Sequence, residues 1–81
     1  MIKVLVTGGA GYIGSHTVIE LLNHGFLPVI VDNFSNSDER VIGGLEEILG
    51  YTPQLYRCDC TDKEALRSVF QNEMPDAVIH F

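Results

Sequence analysis

The sequence predicts an α/β fold, arranged as the first half of a doubly wound parallel sheet in the order β-α-β-α-β-α-β. Apolar runs of strand length alternate with amphipathic segments of helix length, and a glycine-rich turn separates the first run from the first amphipathic segment. Right-handed crossovers between successive parallel strands then favour the strand order 3-2-1-4, with helices on both faces of the sheet.

Four apolar runs predict the strands, at residues 2–6, 28–31, 54–58 and 77–81. The first run consists almost entirely of Ile, Val and Leu, which is typical of a strand covered on both faces. Pro28 opens the second run, where its missing amide donor does least harm. We therefore expect a sheet whose middle strands are fully buried.

Helix signals follow three of these runs. The first helix is predicted over residues 11–24, with Gly25 as a left-handed stop. Asn36 is the expected cap of the second helix, and Thr61 with Glu64 forms a capping box for the third. Each helix is long enough to cross from one strand to the next.

The 81-residue chain has a net charge of −6, from 5 basic and 11 acidic residues, which leaves no cationic surface for a nucleic acid or an anionic membrane. Hydrophobic residues make up 46%, so the chain is expected to fold rather than stay disordered. One small domain is the most that this length allows. We expect no nucleic acid and no membrane among its partners.

Cys58 and Cys60 bear on compartment and metal binding. Two cysteines are too few for a disulfide scaffold, and their one-residue spacing is wrong for a paired zinc site. We interpret them as small apolar fillers and expect no metal. The first apolar run is too short for a signal peptide or a spanning helix, so a reducing, cytoplasmic setting is expected.

The stretch from Thr7 to Gly14 carries glycines at positions 8, 11 and 14, between a predicted strand and a predicted helix. In this context Gly8 permits a tight turn, Gly11 lets a pyrophosphate approach the main chain, and Gly14 packs the helix on the strand. The amides that open the helix and its positive dipole end then face the anion. The pattern predicts a Rossmann-type dinucleotide site; a glycine-rich turn without a ligand is the alternative.

Asp32 ends the second predicted strand, 18 residues after Gly14. A carboxylate there can accept hydrogen bonds from the adenosine ribose and would repel a 2′-phosphate. The next five residues supply no Lys or Arg, so we predict NAD rather than NADP; these residues are Asn33, Phe34, Ser35, Asn36 and Ser37. The alternative is an ordinary residue of a strand-end turn.

No catalytic set is predicted within the chain. His16, His24 and His80 have no acid or nucleophile placed by spacing to work with them, and each is interpreted as structural.

Four segments together resemble the extended short-chain dehydrogenase/reductase family, over the whole chain: residues 7–16, 31–37, 58–59 and 75–81. The glycine stretch is shared across that superfamily. The Asp-Asn-x-Ser-Asn-Ser sequence from Asp32 and the Pro-Asp-Ala-Val-Ile-His-Phe sequence from Pro75 are more particular to its nucleotide-sugar epimerase branch.

The resemblance implies a tightly bound NAD that takes hydride from C4 of a UDP-sugar and returns it to the other face of a 4-keto intermediate, so that UDP-galactose and UDP-glucose interconvert. The resemblance implies that the pyrophosphate binds at Gly8, Gly11, Tyr12, Ile13 and Gly14, and that residues 32–37 bind the adenosine half. It also implies that Asp59 and the Cys60 amide bind the adenine, and that Phe81 lies beneath the ribose and nicotinamide. Asp59 has an alternative role in shaping the turn that follows. Cys60 departs from the family, which more usually has an aliphatic residue there.

The family's proton-transfer residues, a Ser or Thr and a Tyr-x-x-x-Lys, have no match in these 81 residues. We therefore interpret the chain as the amino-terminal part of an NAD-binding domain, without the substrate domain, and expect it to be inactive alone. The complete protein is expected to be a homodimer, and the fourth strand, as an apolar edge, should promote association of this segment. There are two alternatives: a nucleotide-sugar dehydratase or decarboxylase, and a non-catalytic NAD-binding module.

Overall fold

The computed structural model describes residues 1–34 and 40–81. Within them, four parallel strands form one sheet in the order β3-β2-β1-β4. The strands are β1 (Lys3–Thr7), β2 (Leu27–Asp32), β3 (Gln54–Arg57) and β4 (Ala77–His80), and the helices are α1 (Tyr12–Asn23), α2 (Arg40–Leu49) and α3 (Lys63–Glu73). The predicted fold class and strand order are confirmed.

One face of the sheet is covered by α1 and α2. Val4 and Val6 of β1 and Ile30 of β2 form a buried cluster there with Val18 of α1 and Leu45 of α2. Because side chains alternate along a strand, every second residue of these strands points to this face. Burying each such aliphatic side chain stabilises the fold by about 1.5–3 kcal/mol.

The opposite face packs on α3. Leu5 of β1 and Val29 and Val31 of β2 form a second buried cluster with Val69 of α3. With both faces covered, β1 and β2 need apolar residues at consecutive positions. The continuous apolar runs in the sequence have this physical cause.

The helix ends match the predictions only in part. Gly25 follows α1 with a φ of 83°, which confirms the left-handed stop. The predicted capping box of α3 is wrong: the N-cap is Asp62, whose side chain accepts a hydrogen bond from the Ala65 amide at 3.1 Å. Thr61 lies one residue before this cap, and its hydroxyl and amide both donate to the Asp59 carboxylate. The predicted cap Asn36 lies outside the described residues.

Side chains also tie α3 to the sheet. Glu73 accepts a hydrogen bond from the Tyr56 hydroxyl and pairs with the Lys3 ammonium at 3.1 Å. The Tyr56 hydrogen bond lowers the pKa of Glu73, burial opposes that shift, and Lys3 adds to it. The Lys3 amide donates to the Asp76 carboxylate at 2.8 Å, which fixes the start of β4.

The outer strands differ from the inner ones. Three of the four residues of β4 are exposed, and Ile79 is half-buried. Val78 has 47% of its surface exposed to solvent. This confirms that the fourth strand is an edge of the sheet formed by the described residues. Across residues 1–34 and 40–81, every helix is too short or too polar to pass through a membrane.

Candidate functional site

The loop between β1 and α1 lies at the carboxyl edge of the sheet. The Gly8 amide donates to the Val31 carbonyl at 2.7 Å, and the Gly8 carbonyl accepts from the Gly11 amide at 3.1 Å. Gly8 has a φ of 74°, a left-handed conformation that residues with a Cβ atom rarely adopt. The tight turn predicted at the first glycine is confirmed.

Gly14 lies where α1 packs on this turn. A Cβ atom at Gly14 would lie 2.1 Å from the Gly8 carbonyl oxygen and 2.9 Å from the Gly9 Cα. Both neighbours are backbone atoms, which cannot rotate away as a side chain can. The close packing predicted for the third glycine is confirmed, and it needs a residue with no side chain.

Gly9 has a role that the sequence pattern missed. A Cβ atom there would lie 2.8 Å from the Cγ2 atom of Ile30, which belongs to the buried core. Gly9 falls outside the spacing of the glycine motif, so the motif gives it no role. The sequence signal for this close packing was the run of three small residues from Gly8 to Ala10. Ala10, the last of them, is fully buried as well.

The start of α1 has backbone amides with no acceptor within the helix. Gly11 is its extended N-cap, and the first hydrogen bond of the helix backbone runs from the Ser15 amide to the Gly11 carbonyl at 2.8 Å. The amides of Tyr12, Ile13 and Gly14 precede that bond, and no described side chain caps the helix. With the positive end of the helix dipole added, this arrangement favours an anion.

Asp32 joins the end of β2 to the glycine loop. Its carboxylate is buried, and its two oxygens accept hydrogen bonds from the Ala10 amide at 3.0 Å and the Phe34 amide at 2.7 Å. An ionised carboxylate is an acceptor only, and a carboxylate at this place in a Rossmann-type fold can accept hydrogen bonds from ribose hydroxyls. Asp32 therefore brings negative charge and acceptor atoms beside the loop, as the ribose prediction requires.

Phe34 and Arg57 meet beyond Asp32. Phe34 has a φ of 59°, and the Arg57 guanidinium lies 4.9 Å from its ring centroid. Sequence reasoning missed this cation because it searched only the residues directly after Asp32. The parallel register was the missing information: Arg57 is paired with Asp32 on the neighbouring strand.

Asp59 follows β3 and shapes the next turn. One carboxylate oxygen accepts from the Thr61 amide at 2.9 Å and the Thr61 hydroxyl at 2.8 Å, and the Asp59 carbonyl accepts from the Asp62 amide. The bonds from Thr61 lower the pKa of Asp59, and a hydrogen bond from the Asn33 side chain lowers it further. The turn-forming role is confirmed, and the contact with Asn33 joins the ends of β2 and β3. The adenine role stays a prediction.

Cys58 and Cys60 are free thiols, each half-buried against the α3 face of the sheet. Burial raises the pKa of Cys58, and the neighbouring Cys60, Asp62 and Asp59 raise it further. In the part of the chain that the structure describes, no three His, Cys, Asp or Glu side chains are grouped to hold a metal ion. Both thiols pack as partly buried groups against the cluster of Leu5, Val29, Val31 and Val69.

Phe81 lies against the glycine loop from the β4 side. Its amide donates to the Thr7 carbonyl at 3.1 Å, and its Cβ atom would lie 3.3 Å from a Cβ added at Gly8. The fold therefore gathers most of the predicted site residues at one edge of the sheet: Gly8, Gly11, Tyr12, Ile13, Gly14, Asp32, Asn33, Phe34, Asp59, Cys60 and Phe81. The other predicted residues, Ser35, Asn36 and Ser37, lie outside the described part of the chain.

Known proteins resemble the chain in sequence and in structure. Over 78 residues it is 50% identical to a UDP-glucose 4-epimerase of Yersinia pestis, an alignment that covers 96% of this chain and 23% of the relative. The chain thus spans about a quarter of the length of that relative.

Two crystal structures match the fold. The UDP-glucose 4-epimerase of Stenotrophomonas maltophila, with bound NAD and formylated UDP-arabinopyranose, superposes with a TM-score of 0.93 and 43% identity, over 100% of this chain and 24% of that one. The enzyme of the same name from Bifidobacterium longum, in complex with NAD+ and UDP, gives 0.92 and 44%, over 98% and 24%.

A family model described as the NAD dependent epimerase/dehydratase family matches residues 4–81, which include all of β1 but its first residue and every later strand and helix that the structure describes. The match also includes the glycine loop, Asp32 and Phe81. The chain belongs to the NAD dependent epimerase/dehydratase family.

Proposed function

We propose that this chain is the NAD-binding amino-terminal part of a UDP-glucose 4-epimerase, an isomerase that interconverts UDP-galactose and UDP-glucose through a 4-keto intermediate. The relatives that carry this name, at about half identity over nearly the whole chain, support the choice of reaction. The chain covers 23% of their length, so the substrate-binding part and the proton-transfer residues belong to the remainder of such a protein.

The observation that carries the proposal is the position of the Asp32 carboxylate. It is buried beside the amide-rich start of α1 and bonded to the loop amide of Ala10. This geometry offers hydroxyl acceptors next to an anion site, which matches a ribose joined to a pyrophosphate. The same negative charge opposes a 2′-phosphate, so NAD is favoured over NADP.

The glycine loop fits the proposed cofactor. Gly8 and Gly14 keep the backbone close to the start of α1, and the Tyr12 and Ile13 amides precede the first hydrogen bond of the helix. In the proposal these amides hold the pyrophosphate, and Gly11 leaves room for its approach. Bound NAD supplies a hydride acceptor and donor for the sugar C4.

The adenosine and nicotinamide ends are assigned to either side of the loop. In the proposal Asp59 and the Cys60 amide bind the adenine, and Phe81 lies beneath the ribose and nicotinamide. The adenosine half is held by Asp32 and the five residues after it: Asn33, Phe34, Ser35, Asn36 and Ser37. We propose a cytoplasmic homodimer for the complete protein, and no activity for the 81 residues alone.

An assay of the natural full-length product tests the reaction. We expect it to convert UDP-galactose to UDP-glucose and to form no 4,6-dehydrated sugar. Dehydration or decarboxylation without epimerisation would assign the chain to another enzyme of the family. NAD binding without any turnover of UDP-sugars would favour a non-catalytic module.

A competition titration of the same protein tests the cofactor. NAD is expected to bind, and NADP is expected to compete at least about tenfold less well, a difference of about 1.4 kcal/mol. Arg57 makes this a demanding test because it places a cation near the ribose end of the proposed site. Equal affinities would contradict the role given to Asp32.

A further inference from the structure

Thr7 and His80 contact each other at the carboxyl ends of β1 and β4. The Thr7 Oγ1 atom lies 2.5 Å from His80 Nδ1 and 3.5 Å from the Ile79 carbonyl oxygen. Thr7 is only 4% exposed, so its hydroxyl depends on protein partners rather than on solvent. The imidazole is therefore its principal partner.

The number of protons available determines which group donates in each of the two contacts of the Thr7 hydroxyl. The Thr7 hydroxyl carries one proton, which it can donate to the Ile79 carbonyl. His80 then donates its Nδ1–H to the Thr7 oxygen. Replacing the imidazole with an apolar group would leave the buried hydroxyl with one long contact, and an unsatisfied buried polar group is unfavourable.

The contact lies directly under the glycine loop. Gly8 follows Thr7 in the chain, and the Phe81 amide that follows His80 donates to the Thr7 carbonyl. The backbone of Phe81 lies against Gly8, with its carbonyl oxygen 3.4 Å from where a Gly8 Cβ would be. A shift of β4 relative to β1 would therefore move Phe81 against the left-handed turn at Gly8.

We propose that His80 is a positioning residue for the glycine loop: its Nδ1 contact with Thr7 fixes the end of β4 against β1 and so holds Gly8 and Phe81 in the geometry that binds the dinucleotide. The inference rests on the proposed function, since it assumes that the loop binds NAD. It assigns a binding effect to a histidine that the sequence indicates only as structural.

Three substitutions in the natural full-length protein test the proposal: His80→Ala, His80→Asn and His80→Gln. The side-chain nitrogen of Asn lies near the position of Nδ1, and that of Gln lies near Nε2. We expect His80→Ala and His80→Gln to raise the Kd for NAD about tenfold, and His80→Asn to stay within about twofold of the wild type. The KM for the sugar nucleotide should change less than the Kd for NAD.

His24→Asn is the matched control. His24 is exposed, as His80 is, and its Nδ1 likewise has a protein partner, the Glu20 carbonyl oxygen at 2.8 Å. His24 follows α1 at the end away from the loop. We expect its Kd for NAD to equal that of the wild type. Hydrogen exchange at the Gly8 and Phe81 amides, measured without NAD, should accelerate in His80→Ala and not in His24→Asn.

Unchanged NAD affinity in His80→Ala, or equal losses in the Asn and Gln variants, would overturn the inference. A lower Tm in all three variants, with wild-type Kd in the folded fraction, would overturn it as well. If His80→Ala does not fold, Thr7→Ser and Thr7→Val replace it, with retention expected only for Ser. Failure of the wild type to bind NAD would instead refute the proposed function.

Discussion

The two ends of the sheet are held together in different ways. At the carboxyl end, backbone atoms meet at distances that only glycine allows, and the Asp32 carboxylate joins two amides. At the amino end of the sheet, polar and charged side chains connect α3 to the strands. The Glu73 carboxylate accepts hydrogen bonds from the Lys3 ammonium and the Tyr56 hydroxyl. The first kind of contact has no tolerance for added volume, and the second responds to pH. Substitutions at the carboxyl end should affect ligand binding, and those around α3 should affect stability.

Gly14→Ala is expected to have the largest effect. The added Cβ atom would overlap the Gly8 carbonyl oxygen at 2.1 Å, so either α1 or the loop must move. Overpacking of this kind costs about 1–3 kcal/mol, and the displacement affects the amides proposed to bind NAD. We expect the Kd for NAD, measured by titration calorimetry, to rise at least about tenfold.

Gly43→Ala is the control for this change because it places the same methyl group in a helix with nothing within 4 Å. Its Kd should equal that of the wild type. A Gly14→Ala protein that binds NAD normally would show that the loop adapts without loss of function.

Asp32→Asn should have the second largest effect. The amide nitrogen of Asn would face either the Ala10 or the Phe34 amide, so one hydrogen bond is replaced by two opposed donors. Loss of a buried hydrogen bond costs about 1–3 kcal/mol. NAD affinity should fall about tenfold or more, and the preference over NADP should narrow because the negative charge is gone.

Asp62→Asn is the matched control, since its carboxylate also accepts a backbone amide and Asn is an equally good N-cap. Equal cofactor selectivity in the wild type and Asp32→Asn, measured by competition between NAD and NADP, would contradict the role assigned to the charge.

Glu73→Gln tests the ties around α3. Because the pKa of Glu73 is lower in the folded chain, its contribution to stability is complete above the unfolded value of about 4.3 and is lost as the pH falls through the folded value. At pH 7 we expect a loss of about 1 kcal/mol after allowance for solvent screening, with NAD affinity unchanged. The Tm of variant and wild type should converge as the pH is lowered below that range.

The control for Glu73 is Glu64→Gln on the exposed side of the same helix, where the pair with Arg67 is long at 3.9 Å. It should change the Tm by less than the error of the measurement. A pH-independent difference for Glu73→Gln would mean that packing, and not its charge, accounts for the effect.

The smallest effect is expected for Gly43→Ala and Gly44→Ala in α2. Both positions are exposed, and a Cβ atom meets nothing within 4 Å. Each substitution should stabilise the protein by about 0.5–1 kcal/mol, because alanine loses less backbone entropy in a helix than glycine. A rise in Tm without a change in NAD affinity is the expected result, and a fall in Tm would indicate a close contact at this surface.

The features predicted correctly from the sequence depend on periodicity or on glycine. The buried runs of β1 and β2 identify a covered parallel sheet, and the spacing of Gly8, Gly11 and Gly14 identifies the turn. The wrong cap at Thr61 arose because Asp62, one residue later, is an equally good cap. In the structure Thr61 bonds back to the Asp59 carboxylate, and Asp62 accepts the Ala65 amide and begins α3. Arg57 was missed because it lies beside Asp32 through the pairing of β2 with β3, and the residues next to Asp32 in the sequence do not reveal that pairing.

The contact of Gly8 with Phe81 bears on how the protein is made. The two residues are far apart in the chain, yet the turn takes its shape against the backbone of Phe81. Long-range contacts of this kind form late, because the intervening chain must first be closed into a loop. During synthesis the glycine segment leaves the ribosome before β4 does, so its final shape must wait for the last residues of β4. We therefore expect a nascent chain to bind the proposed nucleotide only after the end of β4 has emerged.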